Sequence, residues 1–149
     1  MPQSLSKIYI HTVFSTKNRE PFLSDDALRD ELHAYMGGIA KKLDCYPIRI
    51  GGTADHVHLL TVLARTRAVA DFVKEVKRVS SAWLREKGIS GFKWQAGYAR
   101  FSVSQSRLER VEKYVEGQPE HHRSVGFRDE LRRFFEKHGL KFDERYVWD

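Results

Sequence analysis

Two runs rich in bulky and β-branched residues, Tyr46 to Ile50 and His56 to Leu63, are separated only by Gly51-Gly52-Thr53-Ala54-Asp55. A connection that short allows the runs to pair as an antiparallel hairpin and leaves no room for a crossover. Pro47 stands at the start of its run, where a missing backbone donor is tolerated. Side chains alternate along a strand, so His56 and His58 share one face while Val57 and Leu59 enter the opposite layer. Two parallel imidazoles one pleat apart can hold one divalent ion through neutral ring nitrogens, leaving positions for a third protein group and a substrate oxygen. Alone, a His-x-His strand is equally two hydrogen-bonded histidines near a sheet end, and the residues around it decide between the two.

The remaining chain supplies a sheet and helices around this hairpin. Ile8 to Phe14 reads as a first strand, followed by a basic loop, Ser15 to Pro21, in which Lys17 and Arg19 are either solvated or in contact with phosphate. Ser24 is the expected N-cap of a first helix, with Asp25 and Asp26 in its first turn and Leu28, Leu32, Tyr35 or Met36, Ile39 and Leu43 as its buried stripe. Gly37-Gly38 within it suggests close packing against a neighbour. Val69, Phe72, Val73, Val76, Val79, Trp83 and Leu84 mark a second helix, whose outer Lys74, Lys77 and Arg78 either face solvent or touch DNA. Tyr98 to Ser104 is a fourth strand. A third helix is expected from a Ser104 or Ser106 cap to Glu116, closing near Gln118 through Gly117 and Pro119. A last helix spans about Phe127 to His138, with Leu131 and Phe134 inward and Gly139 as its stop. The aromatic tail with Phe142, Tyr146 and Trp148 is expected to pack on the domain or on a partner. This order predicts an α+β fold: one domain over residues 1–149, a ferredoxin-like four-stranded antiparallel sheet with helices on one face, plus C-terminal helices.

Bulk properties narrow the function classes. The chain has 149 residues, of which 41% are hydrophobic, enough for one sizeable core. No apolar run approaches the roughly 20 residues that span a bilayer, and no leader pattern opens the chain, so a cytoplasmic protein is expected. Cys45 is the single cysteine, which excludes a disulfide framework and a cysteine-rich zinc site and reads as a buried bystander. A formal charge of +6 with a pI near 9.5 favours polyanionic partners.

Tyr114 and Gln118 are four residues apart on the third helix, hence on one side of it within roughly 40°. Beside an apolar stripe they read as a core-edge tyrosine and a helix-end glutamine. Taken with His56 and His58 they also form a coherent chemical set, in which a phenol stands beside a metal held by two imidazoles and an amide oxygen.

Three segments together, Val13-Phe14-Ser15-Thr16-Lys17-Asn18-Arg19, His56-Val57-His58-Leu59-Leu60 and Tyr114-Val115-Glu116-Gly117-Gln118 with Pro119-Glu120-His121-His122, resemble the single-tyrosine HUH transposases named after insertion sequence 200, also called TnpA. The resemblance implies cleavage and rejoining of single-stranded DNA through a 5′-phosphotyrosine, with recognition of hairpins near element ends. It further implies a homodimer able to share active sites through the tyrosine helix. In this sequence it assigns Tyr114 as nucleophile and His56, His58 and Gln118 as ligands of Mg2+ or Mn2+, a hard cation suited to phosphate oxygens. Lys17, Arg19, Lys74, Lys77 and Arg78 are the candidate DNA contacts. Asp55 either orients an imidazole or serves the turn. His121 and His122 are expected to diverge beyond a helix end and to stay peripheral.

Two other readings compete. A domesticated relative would bind hairpin or repeat DNA without transposition. An RNA-binding ferredoxin-like module would stack bases on Phe14 and Phe101 and need no metal. Tyr114→Phe separates them, because only the transferase depends on the phenol.

Overall fold

The computed structural model describes residues 2–149 without the side chain of Val69, so the place of Val69 on the second helix's stripe, like Met1, lies outside the described residues. The elements are β1 (Tyr9–Ser15), α1 (Asp26–Lys42), β2 (Pro47–Gly52), β3 (His56–Val62), α2 (Val69–Glu86), β4 (Ala99–Val103), α3 (Leu108–Glu116), α4 (Gln118–His121) and α5 (Phe127–Lys137). The sheet is antiparallel throughout, in the order β2-β3-β1-β4. This is the ferredoxin-like arrangement, with β1 and β3 central. All of β1 is buried, which is why its sequence shows no polar face.

On one side of the sheet, Phe14, Val57 and Leu59 meet Leu32 and Met36 of α1 and Phe72 and Val76 of α2. Cys45 is buried in the same layer, without a disulfide partner. Each such side chain contributes about 1.5–3 kcal/mol by leaving water. The stripes at helical spacing therefore fold onto the sheet as expected.

The C-terminal helices cover the other face. Phe127, Leu131 and Phe135 of α5 pack on Val13, Ala99 and Phe101. Cross-strand pairing sets Gly51, His58, Val13 and Ala99 in one row on that face. Gly51 has to be glycine: a Cβ there would collide with the carbonyl of Val115, so α3 rests directly on the backbone of β2. With both sheet faces covered, Phe14 and Phe101 are buried. That overturns the RNA-stacking reading, which needs an open aromatic face.

Some local expectations change. Asp25 caps α1, its carboxylate accepting from the Ala27 and Leu28 amides at 2.9 and 3.2 Å, one residue later than the Ser24 cap expected. Ser104 and Ser106 bond each other at 3.1 Å and cap nothing; a 3-10 turn at 105–107 leads into α3 instead. Gly37 and Gly38 are not close-packed, since added Cβ atoms would meet neighbours no nearer than 3.9 Å or nothing. Gly139, with φ +65, ends α5 as expected. The tail returns to the domain: Phe142 lies 4.9 Å from Phe135 between ring centroids, and Trp148 sits under the guanidinium groups of Arg128 and Arg132 at 5.3 and 5.2 Å. Tyr146 stays exposed. No helix among the described residues is long and apolar enough to cross a membrane.

Candidate active site

His56 and His58 project from β3 into the layer under α3, α4 and α5, while Val57 and Leu59 enter the apolar layer behind them. His56 Nδ1 donates to Asp55 Oδ1 at 2.7 Å and lies 2.9 Å from Thr53 Oγ1, which itself donates to Asp55 at 3.1 Å. Asp55 thus serves both expected roles, orienting an imidazole and anchoring the turn. His56 Nε2 faces Gln118 Oε1 at 3.1 Å. A ring nitrogen and an amide oxygen turned toward one point suit the needs of a cation. His58 Nδ1 is 2.7 Å from His11 Nε2 of β1, and its Nε2 is 3.0 Å from Glu130 Oε1.

The tyrosine arm is built by a helix that stops and restarts. Gly117 caps α3 through a bond to Lys113, and Pro119 stands in the first turn of α4, where its missing N–H costs nothing. Tyr114 therefore arrives at the end of α3 and buried Gln118 at the start of α4, both on the site. The restart also corrects the expectation for His121 and His122. Their rings do diverge, at 89° to each other, yet both turn inward. His121 Nε2 lies 3.3 Å from the Tyr114 hydroxyl, and the His122 ring is 4.3 Å from that of His56.

Glu130 of α5 gathers these groups. It is buried, with Oε1 toward His58 at 3.0 Å and His56 at 3.6 Å. Its Oε2 accepts from the Tyr114 hydroxyl, from Gln118 Nε2 at 3.1 Å and from His122 Nε2 at 3.0 Å. One ligand atom each from His56, His58, His122 and Glu130 lies within 4.8 Å of the others.

The electrostatics follow from burial and from that carboxylate. Burial drives His58 down to about 4, only partly opposed by the hydrogen bond and charge of Glu130. His11 is likewise lowered well below the usual imidazole value, by burial and by His58. Both imidazoles are therefore neutral at physiological pH, the state in which they offer lone pairs. Burial alone would raise Glu130, but its imidazole partners outweigh it and keep the carboxyl ionised. Asp55 is likewise lowered because its bonds to His56 and Thr53 outweigh desolvation. The Tyr114 phenol is pushed up, first by burial and then by the Glu130 charge.

Tyr114 also borders a cavity of about 270 Å³ with Val111 and Phe134 on its wall and Arg110, Arg133 and Lys137 around it. Of the basic residues expected to touch DNA, Lys17 and Arg19 occupy an exposed turn just after β1, tied to the His56 end of the sheet by a Thr16 N–H to Asp55 carbonyl bond of 2.8 Å. Lys74 and Arg78 lie on α2, across the sheet from the histidines, with Arg78 bonded to Glu75 at 2.8 Å. Lys77 departs from the expectation. Its ammonium donates to the carbonyls of Gln95, Ala96 and Gly97 at 2.8, 3.2 and 2.6 Å, and burial lowers it to about 8. It holds a loop and does not reach outward.

A family profile described as "Transposase IS200 like" matches residues 4–118, which include His56, His58, Tyr114 and Gln118. The chain belongs to the IS200-like transposase family. It is 30% identical over 115 residues to the ISDra2 transposase TnpA of Deinococcus radiodurans, covering 72% of this chain and 81% of that protein. Two solved structures share the fold. One, from Deinococcus radiodurans and assigned provisionally as a transposase, gives a TM-score of 0.61 at 24% identity, covering 79% of this chain and 98% of that one. The other, a REP-associated tyrosine transposase bound to a REP hairpin, gives 0.61 at 13% identity, covering 84% of this chain and 74% of that one.

Within this IS200-like site, sequence reasoning missed His11 and Glu130 and set His122 aside. Glu130 carried a readable signal. It follows Phe127 by three residues and precedes Leu131, so it occupies the apolar stripe of α5, and a carboxylate there has to find partners.

Proposed function

We propose that this transposase cleaves and rejoins single-stranded DNA with Tyr114 as nucleophile. The carrying observation is the meeting, inside one chain, of the Tyr114 hydroxyl with His56, His58 and Gln118 around one buried carboxylate. The Tyr114 oxygen attacks the scissile phosphorus and loses its proton to solvent, while the bond to the 3′ oxygen breaks and that oxygen takes up a proton from solvent. The products are a 5′-phosphotyrosine and a 3′-hydroxyl. Attack by another strand's 3′-hydroxyl reverses the step without ATP.

His56, His58 and Gln118 are the residues that would hold the divalent ion, Mg2+ or Mn2+, and the neutral His58 imidazole, the His56 ring nitrogen and the turned-in amide oxygen fit one. When bound, it neutralises charge on the phosphate oxygens. Asp55 fixes the direction of the His56 ring, and His11 does the same for His58. Arg110 and Arg133 beside the cavity supply positive charge along the path by which a flexible strand reaches Tyr114, with Lys17 and Arg19 as contacts at the His56 end and Lys74 and Arg78 as more distant ones. Hairpin DNA is the expected partner, in the cytoplasm, and two copies are expected to form the working dimer.

The test incubates the protein and Tyr114→Phe with single-stranded oligonucleotides from the flanks of its own gene, with Mn2+ or EDTA, on a denaturing gel. A metal-dependent covalent band from the unsubstituted protein alone is the expected result. Hairpin binding without an adduct under any condition would favour the domesticated binding protein.

A further inference from the structure

Glu130 belongs to none of the three segments that carry the resemblance, and it lies beyond residue 118, where the family match ends. It is nevertheless the most connected side chain of the site. A buried carboxylate surrounded by imidazoles and a phenol has been taken out of water at a cost that only specific partners offset. Its two oxygens divide those partners cleanly. Oε1 faces the ring nitrogens of His58 and His56 at 3.0 and 3.6 Å. Oε2 faces the Tyr114 hydroxyl, Gln118 and His122.

Resting on the function proposed above, we infer that Glu130 is a further protein ligand of the divalent ion, through Oε1, and the positioning residue that seats Tyr114 beside it, through Oε2. A carboxylate oxygen is a harder donor than imidazole, so its addition suits the set to Mg2+ or Mn2+. It supplies the negative charge that two imidazoles and an amide lack. The same carboxylate ties α5 to α3, so the nucleophile and the ligand set share one rigid link within a single chain.

Mn2+ binding to the full chain, followed by electron paramagnetic resonance of the free ion, tests this without reference to activity. The probes are the unsubstituted protein, Glu130→Gln, Glu130→Asp and a His56→Ala/His58→Ala pair. Glu130→Gln is expected to weaken Mn2+ binding by about 10–100-fold, with Glu130→Asp between it and the unsubstituted protein. Equal affinity in Glu130→Gln, with binding lost in the histidine pair, would overturn the role of Glu130 and leave the proposed function standing. Binding that survives loss of both histidines would instead overturn the metal site itself. A crystal of the unsubstituted protein grown with Mn2+ decides the matter even if the variants fail to fold. A Glu130 oxygen at about 2.0–2.2 Å from the ion is expected, and a carboxylate turned away from it would refute the assignment.

Discussion

On the α1 and α2 side of the sheet, Phe14, Val57 and Leu59 pack into a layer built of apolar side chains. On the opposite face of the same strands, His56 and His58 flank a buried glutamate and His11 bonds His58 from β1. The strands are shared, and only the alternation separates the two environments. The apolar side needs volume and tolerates exchange of like for like, whereas the other side needs particular atoms at particular distances. Stability and chemistry are thus placed back to back on the same backbone.

The largest expected effect breaks the chemical side alone. Tyr114→Phe should abolish the covalent DNA adduct on a denaturing gel while changing unfolding free energy by about 1.5–3 kcal/mol, the worth of one hydrogen bond to a charged group. Mixing Tyr114→Phe with the His56→Ala/His58→Ala pair sharpens the point. Because Glu130 seats Tyr114 in its own chain, the mixture should stay inactive, and restored cleavage would show the tyrosine working in the partner's site.

Phe14→Ala strikes the other side. It should cost about 3–5 kcal/mol in a denaturant titration, since its buried ring leaves a cavity under α2. Protons should tell the two sides apart next. His58 is lowered from 6.5 to about 4 by burial, so the unfolded chain takes up its proton first as pH falls. Stability from this group is complete above 6.5 and declines as pH drops toward 4. Melting temperature across that window should fall in the unsubstituted protein and fall less steeply in His58→Gln. Phe14→Ala should keep the full slope. The smallest effect concerns DNA: Arg133→Ala should weaken single-strand binding and lower its salt dependence by about one unit of slope, and Lys77→Ala should disturb the 95–97 loop more than DNA affinity.

Much of this was legible in the sequence because it depends on local periodicity. The hairpin at Gly51 to Asp55 set His56 and His58 on one face, helical spacing brought Tyr114 and Gln118 to one side, and the stripes of α1 and α2 marked the core. What escaped depends on distance across the fold. His11 meets His58 only through the pairing of β1 with β3, and Glu130 reaches the site only because α5 folds back over the sheet. His122 was misjudged because Pro119, expected to close the third helix, instead opens α4.

Gly51 shows how such a layout would look to a genetic screen. It offers no functional group, yet any side chain there would press against Val115 and tilt the helix that carries Tyr114. Alanine at this position should retain the fold's spectroscopic signature and lose the proposed strand transfer, and a screen for loss of function would rank it beside Tyr114. In this transposase, clearance between two backbones is as strict a requirement as chemistry.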